Sequence, residues 1–330
     1  MRWILIVFAG WLLVQPALAR EGRFYVLSDE QYYKPMLANI RTPVNHLRLY
    51  RDEAVRFSSS TKPGDHTFWD VAYGGYFPLA GIRFDTAEPE NPMRRSGVAL
   101  FVSGSAHVLL DFDTQSSDVI NNDYRLGAGV ALRFPGRLGF LSLRYRFFHE
   151  SSHVGDEFTL SASDFETFRR YNVSYEANEL YVAMDRYREA EGLLGFTYVR
   201  LYGGTRAMTK EALFEDFRDR DPARALKTAD RTELQVGGEL LFKGWERPWL
   251  FLLPQYFAVA GDGYRRDRYA LLDPQKVWSI NVAGGIVFGR YFQGDRTVKW
   301  LVNYYKGVHP HGQFRTTEIE YMGIDLSISF

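Results

Sequence analysis

The last ten residues, Tyr321-Met322-Gly323-Ile324-Asp325-Leu326-Ser327-Ile328-Ser329-Phe330, alternate without a break. Even positions read Met, Ile, Leu, Ile, Phe, and odd positions read Tyr, Gly, Asp, Ser, Ser. Period two is the signature of a strand, because successive side chains point to opposite faces of a sheet. A soluble edge strand can alternate in this way, but a soluble chain rarely ends on the apolar face of one. The pattern recurs upstream. Between Val98 and Phe112 the even residues are apolar or small, and Tyr124–Phe134 repeats this with Arg125 and Arg133 on the other face. Leu234, Val236, Leu240 and Phe242 oppose Glu233, Gln235 and Glu239, and Trp278, Ile280, Val282, Ile286 and Phe288 oppose Ser279 and Asn281. Periodicity alone does not say which face turns inward, since a soluble sandwich alternates too.

The other end of the chain narrows the choice. Arg2 supplies a positive start, Trp3–Val14 an apolar run of signal-peptide length, and Ala17-Leu18-Ala19 a small-x-small cleavage site. Residues 1–19 therefore read as a signal peptide. Removing them leaves 39 Lys and Arg (40 less Arg2) against 40 Asp and Glu. A near-neutral balance gives no reason to expect a nucleic-acid partner. There is no cysteine, hence no disulfide framework and no thiolate nucleophile or ligand. The aromatic share is 16% with 21 Tyr and 25 Phe, which suits a protein meeting both water and lipid. After Ala19 no apolar run reaches the roughly 20 residues of a spanning helix. Strands of about 10 alternating residues need no such run.

Export, strand-end aromatics and the terminal Phe330 together put the apolar face outside, in lipid. The expected fold is an all-β, transmembrane, antiparallel outer-membrane β-barrel of about twelve strands. The expected spans are 45–57, 67–84, 97–113, 121–134, 138–150, 171–187, 192–205, 230–243, 247–260, 276–290, 297–308 and 316–330. Residues 20–44 precede the barrel as a periplasmic N-terminal arm or partial plug, and 45–330 form the barrel. Joints 135–137, 188–191, 244–246 and 291–296 are short, as periplasmic turns are, whereas 151–170, 206–229 and 261–275 are longer and polar. Joint 85–96 breaks that rule. Arg125, Arg133, Arg144, Arg146, Glu233 and Glu239 fall on the inner face, where mixed charges in a narrow barrel pair into a polar filling.

One segment carries chemistry: Arg144-Tyr145-Arg146-Phe147-Phe148-His149-Glu150-Ser151-Ser152-His153-Val154-Gly155-Asp156-Glu157. Leu141, Leu143, Tyr145 and Phe147 are its lipid-facing set, and parity carries His149, Ser151 and His153 onto the same outward face. An imidazole two residues from a hydroxyl can take its proton and make it a nucleophile. Glu157, Asp156 or Asp164 would then orient the imidazole. The candidate catalytic residues are His149, Ser151 and Glu157. The same residues support two other readings: a polar strand end among headgroups, or a metal site of His149, His153, Asp156 and Glu157 for zinc or calcium. His309 and His311 lie in an expected external turn as solvated residues, with metal binding as the alternative. Lys210–Asp230 is expected to be a solvated loop or short surface helix.

The terminal alternation resembles the C-terminal signature of bacterial outer-membrane barrels, which implies recognition by the barrel-assembly machinery. The outward His149-x-Ser151 resembles the dyads of outer-membrane phospholipase A and of outer-membrane lipid A deacylase, in which an Asn or Glu completes the set. The Asn-Gly that often follows such a dyad is replaced here by Ser152-His153. The longer stretch from His149 to Glu157, with Leu37-Ala38-Asn39-Ile40-Arg41 and Gly75-Tyr76-Phe77-Pro78-Leu79, is similar to an uncharacterised bacterial barrel family. Two functions follow as expectations: a surface-exposed lipid acyl-ester hydrolase in contact with outer-membrane lipids, or a non-enzymatic barrel with a narrow transport, structural or binding role.

Overall fold

A computed structural model describes residues 22–28, 30–52, 66–85, 95–114, 117–156, 170–190, 192–210, 213–216, 221–245, 253–289, 291 and 297–329. The signal-peptide segment 1–19, Glu157, Asp164 and Phe330 lie outside the described residues. The strands run in chain order as β1 (Arg23–Val26), β2 (Asn45–Asp52), β3 (His66–Arg83), β4 (Gly97–Asp111), β5 (Val119–Arg133), β6 (Leu141–Val154), β7 (Val173–Tyr187) and β8 (Phe196–Met208). There follow β9 (Leu213–Phe214), β10 (Leu226–Lys227), β11 (Thr232–Lys243), β12 (Tyr256–Arg268), β13 (Gln275–Phe288), β14 (Thr297–Val308) and β15 (Glu318–Ser329). Strands β2–β8 and β11–β15 pair antiparallel in one sheet that returns on itself through β2, β3 and β4. The protein is a closed antiparallel 12-stranded barrel of outer-membrane type. Closure leaves no open sheet edge to be satisfied in lipid.

Burial decides which face is which. Along β4, Ala99, Phe101, Ser103, Ser105 and His107 are buried, while Leu100 is 55% exposed. Leu126, Val282, Val302 and Ile324 are likewise exposed on other strands. The wall is apolar outside and polar inside, the reverse of a soluble sandwich and the arrangement that lipid selects. Trp69 stacks on Phe112 at 4.8 Å, and Trp245 meets Phe257 at 5.8 Å near the opposite rim. One end, where β2 begins and β15 finishes, is called here the termini end; the other is the loop end.

Strands five and nine depart from their expected spans. β6 continues to Val154, so His149, Ser151 and His153 sit on a paired strand rather than beyond it. Of the expected 247–260, residues 247–252 lie outside the described residues, and the ninth barrel strand, β12, is Tyr256–Arg268. Pro254 lacks the N–H a ladder requires, and the outward face of β12 contains Gly261 and Gly263, which give no hydropathy signal. Residues 261–275 are consequently mostly strand rather than loop. The described residues of segment 210–230 keep the expected short surface helix as an exposed 3-10 turn, Pro222–Arg224, but are not all solvated. The segment contributes the β9–β10 ribbon, and Phe214 and Leu226 bury against Tyr175, Met208 and Tyr269 across the loop end.

The lumen is filled. Every inward charge named from the sequence is buried: Arg125, Arg133, Arg144, Arg146, Glu233 and Glu239. Arg125 pairs with Glu150, Arg146 with Glu179 at 2.6 Å, and Arg133 with Asp185 at 2.9 Å. Arg206 bridges Glu179 (3.4 Å) and Glu233 (3.2 Å), and Glu233 also binds Arg315. Arg144 instead lies over the rings of Tyr33, Tyr76 and Tyr181 at 4.7, 5.0 and 5.0 Å and donates to the Tyr76 hydroxyl. Two chain segments complete the filling. Residues 30–42 run inside the barrel: Arg41 reaches Asp123 at 2.7 Å, Leu37 N–H donates to Glu239, and Asn281 donates to the Ala38 carbonyl. From the loop end the 309–317 turn inserts between β14 and β15. His309 and His311 are fully buried there, which corrects their expected solvation. Gly312 N–H donates to Asp123, and a Cβ on Gly312 would lie 2.7 Å from the Ser152 Cβ, so only glycine fits.

The seams differ in length. Among the described residues β3 and β4 are registered over fifteen residues and β2 meets β15 over six, Asn45–Tyr50 against Ile328–Gly323. β1 occupies the edge of β3 below β2, pairing with Ala80–Arg83.

Candidate active site

The outward run of β6 begins with Leu141, Leu143, Tyr145 and Phe147 and turns polar at His149. That change marks where the strand leaves the apolar belt, with aromatic side chains at the transition as in other interfacial positions. His149, Ser151 and His153 all stand on the outer face. Register with β7 sets Ser151 opposite Ser174 and His149 opposite Glu176. Register with β5 sets Tyr124 opposite Ser151. Directly paired residues hold their Cβ atoms about 5 Å apart, so these side chains form one polar island.

Within the island His149 links two residues of the neighbouring strand. Its Nδ1 lies 3.3 Å from Glu176 Oε1, and its Nε2 lies 3.4 Å from Ser174 Oγ. With the carboxylate accepting from Nδ1–H, Nε2 is left as acceptor for the Ser174 hydroxyl, an assignment from the network rather than from visible hydrogens. Ser151 is engaged separately, its hydroxyl 2.7 Å from His153 Nε2. The Tyr124 ring stands 6.0 Å from the His153 ring. Tyr145 O–H donates to Asn178 Oδ1 at 2.6 Å on the membrane side of the island.

The sequence candidates thus share a face but not one hydrogen-bonded set. Among the described residues His149 and Ser151 do not bond each other. Asp156 turns to Arg170 at 3.7 Å, and it does not converge with His149 and His153 on a common point. Glu157 lies outside the described residues. Ser174 and Glu176 were missed by the sequence reading. Their signal was the outward parity of Ser174, Glu176 and Asn178 in β7, which becomes informative only once the β6–β7 register is known.

The strand pair that carries the island lies inside a family match. Residues 25–222 and 271–330 match the family described as "Protein of unknown function (DUF1207)". The chain belongs to the DUF1207 family. The match spans β6 and β7 whole, so the island is built on family-typical parts of the chain. Among solved structures, outer membrane phospholipase A from Escherichia coli is similar, with a TM-score of 0.43 and 9% identity, over 91% of this chain and 95% of that one. No curated protein matches the sequence.

Proposed function

We propose that this DUF1207 protein resides in the outer membrane with its loop end outward and hydrolyses acyl esters of outer-leaflet lipid at the β6–β7 island. The observation that carries this reading is the Ser174–His149–Glu176 chain of contacts on the lipid-facing wall. His149 Nε2 takes the Ser174 proton as the oxygen attacks an ester carbonyl, and Glu176 steadies the imidazolium that results. The imidazolium then protonates the departing alcohol, and a water activated by the same base releases the acyl group. A contact of 3.4 Å is long for a catalytic bond, as resting sites commonly are before substrate arrives. Leu126 and Phe147, both exposed beside the island, offer acyl chains an apolar approach. A second reading, a non-enzymatic barrel whose island meets headgroups, is supported by the half-exposed state of His149 and Glu176, at 47% and 46%.

The test is fatty-acid release from phospholipid and from lipid A by purified protein in detergent, with and without calcium. Replacing His149 or Ser174 by Ala should each abolish most release, and the pair together should cost little more, because residues acting as a unit are not additive. No release from either lipid under both conditions overturns the hydrolase reading. Release that survives Ser174→Ala but not Ser151→Ala moves the nucleophile to Ser151, with His153 or a reoriented His149 as its base.

A further inference from the structure

A second constellation lies inside the barrel, independent of the outer-face island. Ala72 on β3 pairs with His46 on β2 and with His107 on β4, so two imidazoles flank one methyl group in a single row. Asp70 stands next on the same inward face of β3, towards the loop end. The His46 and His107 ring centroids are 5.7 Å apart, and His46 Nε2 is 3.8 Å from Asp70 Oδ1. One ligand atom each from His46, Asp70 and His107 falls within 4.8 Å of the others. The inserted turn brings a fourth group, His311 Nε2, to 3.4 Å from the same Asp70 oxygen.

The polar atoms that converge here are unsatisfied. His107 is fully buried, and neither of its ring nitrogens has a hydrogen-bond partner. His46 Nε2, Asp70 Oδ1 and His311 Nε2 form no well-aligned hydrogen bond either, although both nitrogens face that oxygen, at 3.8 and 3.4 Å. Each such group carries a desolvation penalty that a native interior does not leave standing. The other Asp70 oxygen is already held by Arg48 at 3.3 Å, which orients Oδ1 toward the histidines. Around the cluster two arginines, Arg41 and Arg48, face three carboxylates, Asp70, Asp123 and Asp325.

We propose that His46, Asp70 and His107 bind a first-row divalent cation of the zinc class. Nitrogen and carboxylate donors suit such an ion, and a tetrahedron with bonds of about 2.1 Å has ligand–ligand edges of about 3.4 Å. The 3.8 Å between His46 Nε2 and Asp70 Oδ1 is close to that scale. Three protein ligands leave the fourth position of the tetrahedron to a solvent molecule. The ion joins three consecutive wall strands, and the Asp70 oxygen that also faces His311 links that centre to the 309–317 turn in the barrel mouth. The cluster of His66, Asp111 and Asp113 carries no such inference, because Asp111 already binds His66 at 2.9 Å and Asp113 accepts from Thr67 N–H.

The experiment uses untagged full-length mature protein in detergent, equilibrated with Zn²⁺ and then dialysed. Metal analysis should find one zinc per chain, lost in His107→Leu, a variant that breaks no hydrogen bond and whose folding is checked by heat-modifiable gel migration. Co²⁺ loaded into the unaltered protein should give the intense visible bands of a tetrahedral site. Chelation should lower the unfolding midpoint of the unaltered protein and leave that of His107→Leu in place. Absence of retained zinc, equal retention by folded His107→Leu, or only the weak bands of octahedral cobalt overturns the proposal. None of these results bears on lipid hydrolysis.

Discussion

Tyr33 offers the sharpest test of how the lumen is closed. Its ring, 3% exposed, lies under two guanidinium groups, Arg144 at 4.7 Å and Arg200 at 4.5 Å. It belongs to the segment 30–42, whereas both arginines belong to the wall. Truncation of a buried aromatic costs about 3–5 kcal/mol, and each desolvated cation–ring contact contributes up to about 2. These overlap, so Tyr33→Ala should weaken the attachment of the segment by about 4–6 kcal/mol. At 1.4 kcal/mol per decade the detached population rises about 1,000-fold or more. The readout is trypsin cleavage between Arg41 and Thr42 in the folded, detergent-solubilised barrel, a bond shielded while the segment is seated. When reseating is fast relative to cleavage, the rate follows that population. Tyr33→Phe is the control. The Tyr33 hydroxyl is buried without a hydrogen-bond partner, so removing it should leave cleavage unchanged or slow it. Cleavage of Tyr33→Ala at the unaltered rate, or acceleration in Tyr33→Phe equal to that in Tyr33→Ala, refutes the ring-clamp reasoning.

Asp185 accepts from Arg133, Ser142 and Tyr198 and lies 3.4 Å from Arg200. Asp185→Ala should strand two buried guanidinium groups and cost about 3–5 kcal/mol, read as a lower urea midpoint in detergent. The charge-filled interior should pass ions poorly; large, stable single-channel currents from the unaltered protein in planar bilayers would contradict it. Deleting Phe330 should reduce the yield of heat-modifiable barrel in membranes, whereas recovery of a monodisperse, detergent-free protein would count against membrane assembly. Glu176→Gln keeps shape but removes the charge that steadies His149, so lipid hydrolysis should drop chiefly in kcat rather than KM.

Much of the barrel could be read directly from residue order. β4, β5 and β13–β15 put apolar or small side chains on most of their alternate positions, and a period of two survives an occasional Gly104, Ala128 or Gly284. β12 could not be placed because glycines occupy two of its outward positions, Gly261 and Gly263, so the alternation loses its apolar signal there. The outward side of the chemical segment followed from parity alone, since His149 continues the row of Tyr145 and Phe147. Its partners did not, because Ser174 and Glu176 reach His149 through a register that no local pattern encodes. The same holds inside. His46, His107 and His311 are isolated in sequence, and only barrel closure makes them neighbours. Burial of His311 likewise depends on the 309–317 turn folding inward, a choice driven by Asp123 and Ser152 on distant strands.

The six-residue contact between β2 and β15 makes the hoop mechanically uneven. Among the described residues the seams from β3 round to β15 carry nine or more registered pairs, whereas β2 carries seven with β3 and six with β15, so strain applied to the wall concentrates at β2. One ion pair, Arg48 to Asp325 at 2.7 Å, spans that joint from the inside like a clasp. A chain entering a bilayer can therefore assemble the long sheet from β3 to β15 as an open ribbon and fasten it last at β2. The segment 30–42 is tethered directly to β2 and would be drawn into place by the same closing stroke. Amides of Asn45–Tyr50 should then be the earliest in the wall to exchange with solvent, and the route by which the hoop is fastened is also the route by which it would first come undone.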